Sequence, residues 1–152
     1  MSQNTPYILM LEDDSDDRHI TQVFFTEKGY NVGLEFMTDP TRVLPYLETL
    51  LVKDLLLPRL ILLDKNVPLL SGIDVLKQIK AHPVLRSIPV VMISGSSNQD
   101  EVNECYRLGV NSFITKPFTN DLTAKTIDSF VSYWFGTVDL PVVANNVLHE
   151  FH

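Results

Sequence analysis

Leu60-Ile61-Leu62-Leu63-Asp64 is an aliphatic run that stops abruptly on a carboxylate. A half-exposed strand would alternate apolar and polar residues. An unbroken apolar run suits a strand covered on both faces, as in a parallel sheet flanked by helices. Working outward, the same pattern occurs at Tyr7-Ile8-Leu9-Met10-Leu11, which ends on Glu12-Asp13, and at Pro89-Val90-Val91-Met92-Ile93, which ends on Ser94-Gly95. Residues 31–37 and a short run over 112–115, ending at Lys116-Pro117, read as two further strands.

Helical signals fill the gaps. Asp14 or Ser15 can cap a first helix whose Asp16 and Asp17 suit the positive end of its dipole, with Ile20, Val23 and Phe24 at helical spacing and Gly29 as a stop. Asp39-Pro40 opens a second, carrying Leu44, Leu47 and Leu51; Pro45 removes a backbone donor there and predicts a helix that is distorted or starts late. Ser71-Gly72 precedes Ile73, Leu76 and Ile79, with a stop before Pro83. Asn98 begins a helix reaching about Leu108, and Gly109 caps it. The last starts near Thr119 and places Ile127, Phe130, Val131 and Trp134 on one face. Strands alternating with helices in this way predict an α/β sandwich with a parallel sheet. In such sheets, ligands bind beyond the carboxyl ends of the strands.

Composition sets the frame. The chain has 152 residues, enough for one domain with a real core, and a net charge of -7. The acidic balance argues against broad binding to nucleic acid or to an anionic membrane, which need a basic footprint. A single cysteine, Cys105, excludes an intrachain disulfide. No signal peptide is recognisable, and no apolar stretch approaches the about 20 residues of a membrane span. The expectation is a cytoplasmic protein.

The residues just past the strands carry the chemistry. Glu12 and Asp13 follow the first, Asp64, Lys65 and Asn66 the third, Ser94 the fourth and Lys116 the fifth. A parallel sheet brings these ends to one edge, so three carboxylates, a hydroxyl and an ammonium converge. Any one of them alone is an ordinary turn or surface residue; the coincidence of all of them is not. Clustered carboxylates repel one another and call for a cation, and hard oxygen donors suit Mg²⁺. A carboxylate nucleophile, a dication, an ammonium and a hydroxyl are the parts that phosphoryl transfer uses. Asp64, ending the central strand, is the natural acceptor.

The stretches Ile8-Leu9-Met10-Leu11-Glu12-Asp13-Asp14, Leu60-Ile61-Leu62-Leu63-Asp64-Lys65-Asn66-Val67-Pro68 with Ser71-Gly72, Pro89-Val90-Val91-Met92-Ile93-Ser94-Gly95 and Phe113-Ile114-Thr115-Lys116-Pro117-Phe118 closely resemble the receiver domain of two-component response regulators. The resemblance covers about residues 6–135 and leaves 136–152 as a short tail without an output domain. It implies a flavodoxin-like (βα)5 fold with a five-stranded parallel sheet of order 2-1-3-4-5. It also implies Asp64 as phosphoacceptor, Asp13 as a direct Mg²⁺ ligand, Glu12 as a ligand mainly through water, and Asn66 as donor of a main-chain carbonyl to the metal. Lys116 matches the family's lysine, Ser94 the switch hydroxyl and Phe113 the aromatic switch position. The Lys116-Pro117 bond is expected to be cis. The implied partner is a histidine kinase or phosphotransfer protein, and the implied response is a movement of Ser94 and Phe113 that alters the fourth helix, fifth strand and fifth helix.

The ending Phe130-Val131-Ser132-Tyr133-Trp134-Phe135, followed by Leu140-Pro141, resembles the single-domain regulators that partner bacterial phytochrome histidine kinases, which makes a homodimer a further expectation. Trp134 and Phe135 could be core or dimer surface. Leu55-Leu56-Leu57 is read as core in preference to an exposed patch. His149 and His152 are read as solvent-exposed. Rival readings are weaker. An aspartate-nucleophile phosphatase would carry a second aspartate where Asn66 stands. A flavin-binding domain would not place Glu12-Asp13-Asp14 against a phosphate. A pseudo-receiver that binds partners without phosphorylation would not need the full residue set.

Overall fold

A computed structural model describes residues 5–143. The strands are β1 (Tyr7–Leu11), β2 (Gly33–Met37), β3 (Leu60–Asp64), β4 (Val90–Ser94) and β5 (Ser112–Thr115); the helices are α1 (Ser15–Lys28), α2 (Val43–Val52), α3 (Gly72–Ala81), α4 (Gln99–Arg107) and α5 (Asn120–Gly136). All strand pairs are parallel, in the order β2-β1-β3-β4-β5. This is the expected flavodoxin-like arrangement. The two central runs, β1 and β3, are buried along their whole length, as unbroken apolar strands require.

The sheet separates two cores. On one side Leu9, Leu11, Ile61, Leu63 and Met92 pack with Val43 and Leu47 of α2, Val75, Leu76 and Ile79 of α3 and Cys105 of α4. On the other, Ile8, Met10, Leu60, Leu62 and Val91 meet Phe25 of α1 and Val131 of α5. The odd and even residues of β1 and β3 divide cleanly between them, which is the two-residue period of a strand.

The caps stand where the sequence placed them. Asp14 accepts from the Asp16 and Asp17 N–H groups, Asn98 from Asp100 and Thr119 from Leu122. Ser71 and Asp74 form a reciprocal capping box at α3. Gly29 ends α1 at φ 62°, a left-handed conformation that glycine adopts freely. The second helix starts late: Pro40–Arg42 form a 3₁₀ turn capped by Asp39, and α2 begins at Val43. Pro45 thereby falls in the first turn of α2, where a missing N–H costs nothing.

Three expectations need adjustment. The second strand begins at Gly33, not at residue 31. The Lys116-Pro117 bond is trans, since the described residues contain no cis peptide; trans is favoured before proline by only about 0.5–1 kcal/mol, so local packing decides. Leu55-Leu56-Leu57 is divided: Leu57 is buried at 5% exposure, while Leu55 and Leu56 are 50% and 43% exposed. The segment after α2 is irregular, so no period carries all three side chains to one side. Trp134 and Phe135 are half-buried against the α1–α5 core, and Tyr133 beside them is exposed. His149 and His152 lie outside the described residues. Beyond α5, Arg59 Nη2 donates to the Leu140 carbonyl at 3.5 Å, and Val143 packs against the α2–α4 core. No helix among the described residues is long and apolar enough to cross a membrane.

Candidate phosphoacceptor site

The register brings the strand ends level. Leu63 pairs with Leu11 and Asp64 with Ile93, while Ser94 pairs with Thr115. Glu12 and Asp13 therefore stand beside Asp64, and Lys116 follows the end of β5. A cleft lined by Glu12, Asp13, Asp17, Asp64, Asn66 and Lys116 opens there.

Glu12 is fully buried and Asp64 is 3% exposed, whereas Asp13 is exposed. One oxygen from each of the three carboxylates lies within 4.8 Å of the others. Hard oxygen donors at such spacing, two of them withdrawn from water, fit a Mg²⁺ ion. Lys116 Nζ donates to Glu12 Oε1 at 2.9 Å, to Asp64 Oδ2 at 3.0 Å and to Asp17 Oδ2 at 3.0 Å. Asp64 Oδ1 accepts from the Asn66 N–H at 2.9 Å. Both carboxylate oxygens of Asp64 are thus oriented by donors.

Burial and the proximity of Asp64 push the Glu12 carboxyl up to about 8, against the lowering effect of Lys116. Burial alone would raise Asp64 as well, but its hydrogen bonds to Glu12, to the Asn66 N–H and to Lys116 hold it below the usual carboxylate range. Burial would lower Lys116, yet its bonds to Glu12, Asp64 and Asp17 hold it above the ordinary lysine value. The two carboxyls are thereby set apart, with Asp64 the easier of the pair to ionise.

Ser94 is fully buried; its hydroxyl oxygen accepts from Asn66 Nδ2 at 3.1 Å and from the Ser96 N–H at 3.3 Å. Phe113 is half-buried against the α2–α4 core, away from the carboxylates. Glu12, Asp13, Asp64, Asn66, Ser94 and Lys116 are thus gathered at one edge, and Phe113 stands apart on β5. Two contacts go beyond the sequence reading. Asp17, which suits the helix dipole, also reaches the same edge, one turn after Asp13, and accepts from Lys116. The Asn66 carboxamide links the loop after β3 to Ser94, a contact of its side chain in addition to the main-chain carbonyl expected to face the metal.

A family model described as the response regulator receiver domain matches residues 8–128. The response regulator Rcp1 of Synechocystis sp. is 33% identical over 135 residues, covering 88% of this chain and 92% of that protein. Its Mn²⁺-bound crystal structure superposes with a TM-score of 0.80 at 33% identity, covering 90% of this chain and 99% of the other. The phosphorylated cyanobacterial phytochrome response regulator RcpA gives a TM-score of 0.82 at 31% identity, covering 90% and 98%.

Proposed function

We propose that this chain, which belongs to the response regulator receiver domain family, accepts a phosphoryl group on Asp64 in a Mg²⁺-dependent reaction and passes the signal on through a change of surface. The observation that carries this is the setting of Asp64: nearly buried at the end of β3, with Lys116 on one oxygen and the Asn66 N–H on the other.

The donor is phosphohistidine on a histidine kinase or phosphotransfer protein. An Asp64 oxygen forms a bond to phosphorus in line with the departing imidazole, the P–N bond breaks, and its electron pair leaves with the imidazole nitrogen. Asp13, Asp64, the Asn66 carbonyl and, mainly through water, Glu12 would hold the metal. Bound Mg²⁺ supplies neutralisation of the charge on the phosphoryl oxygens. Lys116, already 3.0 Å from Asp64 Oδ2, adds a fixed positive charge at the same place. The Ser94 hydroxyl, released from Asn66, donates to a phosphoryl oxygen, and Phe113 moves into the space that this opens. The chain acts as a phosphoacceptor with self-catalysed transfer and dephosphorylation, not as an enzyme turning over outside substrates.

In this reading residues 6–135 are the receiver and 136–152 a tail, and a partner bound to α4, β5 and α5 takes up the response. Tyr106, Phe118, Leu122 and Tyr133 are exposed on those helices and the loop between β5 and α5, and a second copy of the chain is one such partner. The relationship to Rcp1 and RcpA supports a phytochrome-type kinase as the donor.

Incubation with acetyl phosphate, with and without Mg²⁺, separates phosphorylated from free protein on a phosphate-affinity gel. Wild type is expected to shift only with Mg²⁺, and Asp64→Asn not at all. A full shift in Asp64→Asn would overturn the assignment.

A further inference from the structure

Lys65 follows Asp64 directly, and only 9% of its side chain is exposed. In the strand period it continues the side of Ile61 and Leu63, toward the α2–α4 core. A buried ammonium requires an anion, and it pairs with Glu101 in the first turn of α4. Its backbone is engaged as well: the N–H donates to the Ile93 carbonyl at 2.9 Å, and the carbonyl accepts from the Gly72 N–H at 3.1 Å. One residue therefore binds the end of β4, the start of α3 and the start of α4, while its neighbours Asp64 and Asn66 face the cleft.

Stability alone does not account for the pair. Glu101 keeps 40% of its side chain exposed, and an ion pair with one partner in water adds little stability. What the pair adds is position: a directional contact between the phosphoacceptor loop and the amino end of a particular helix. We infer that Lys65 is a positioning residue whose ion pair with Glu101 ties α4 to the phosphoacceptor loop, so that a change on either side is felt by the other. The inference rests on Asp64 being the phosphoacceptor. Among the described residues, no side-chain hydrogen bond or ion pair joins Lys65 or Glu101 to Glu12, Asp13, Asn66 or Lys116.

The test uses the full chain as wild type, Glu101→Gln, Lys65→Arg and the double variant Lys65→Met/Glu101→Met. In Glu101→Gln, amide exchange is expected to speed up about threefold to tenfold both in the first turn of α4 and at Gly72. The maximal rate of phosphorylation by acetyl phosphate is expected to fall by a similar factor, with the Mg²⁺ concentration for half-maximal rate unchanged. Lys65→Arg keeps the charge and should leave both at the wild-type values. The double variant should be as stable as wild type in urea, yet saturation with beryllofluoride and Mg²⁺ should no longer alter α4 exchange. Faster exchange confined to α4, or a fall in rate accompanied by weaker Mg²⁺ dependence, would overturn the inference in favour of a local or a general loosening. If wild type takes no phosphate, the proposed function fails, and joint exchange at α4 and Gly72, which needs no donor, still decides whether Lys65 ties the two together.

Discussion

Lys116 Nζ stands 3.0 Å from Asp64 Oδ2, across 52 residues of sequence, and it bonds Glu12 and Asp17 at the same time. One ammonium thus serves three carboxylates. Lys116→Met would leave them facing one another without it. The lysine is a quarter exposed, so water screens part of the loss, and the expected destabilisation without metal is about 1–3 kcal/mol. Added Mg²⁺ should restore more stability to the variant than it adds to wild type, because the variant has no internal cation. Urea unfolding with and without Mg²⁺ measures both.

The pH dependence follows from Glu12, whose carboxyl is pushed from an ordinary 4.5 up to about 8. Between those values the folded protein keeps a proton that the unfolded chain has lost. Metal-free stability contributed by this group therefore falls as pH rises through that window. The lowered Asp64 acts oppositely and at lower pH: its contribution is present above an ordinary 3.8 and is lost as pH falls through its folded value. A carbon-13 titration of the Glu12 carboxyl should show a midpoint well above that of an exposed glutamate, and an ordinary midpoint would refute the shift.

Gly72 is fixed by a close approach. A Cβ there would run into the Asp64 carbonyl oxygen and lie 2.9 Å from Lys65 Cα, both backbone atoms with little room to move. Replacing glycine by alanine gains up to about 1 kcal/mol in a helix interior. The clash costs about 1–3 kcal/mol and wins. Gly72→Ala should be less stable in urea and slower to accept phosphate, since the loop displaced is the one carrying Asn66.

The leucine triplet offers an internal control. Leu57→Ala removes a side chain buried among Leu47, Leu50 and their neighbours and should cost about 2–4 kcal/mol. Leu55→Ala changes a half-exposed residue and should stay within about 0.5 kcal/mol. Equal losses from the two would contradict the burial described for this segment.

Much of the fold was legible because the physics is local. Unbroken aliphatic runs declare strands buried on both faces, and the caps Asp14, Asp39, Ser71, Asn98 and Thr119 declare helix starts. The gathering of Glu12, Asp13 and Asp64 follows from the polar residue that ends each run, once the strands are parallel. The strand order did not follow from the residues; it came from the resemblance. Asp17 escaped because its contact depends on how far Lys116 reaches across 99 residues, which no spacing encodes. Lys65 escaped because its partner lies 36 residues away on another element. The fates of Leu55, Leu56 and Leu57 were hidden because an irregular segment has no period. The geometry of Lys116-Pro117 was hidden because its two isomers differ by so little energy.

The segment after α5 has a mechanical consequence. Leaving the helix that covers one face of the sheet, it is held by Arg59 at Leu140 and ends its described course with Val143 on the core of the opposite face. It acts as a strap across the edge of the sheet remote from the carboxylates. A spectroscopic label at Val142, which is exposed, would be covalently continuous with α5 yet sit beside the other layer. Paired with a second label on α5, it would form a ruler spanning the thickness of the sandwich.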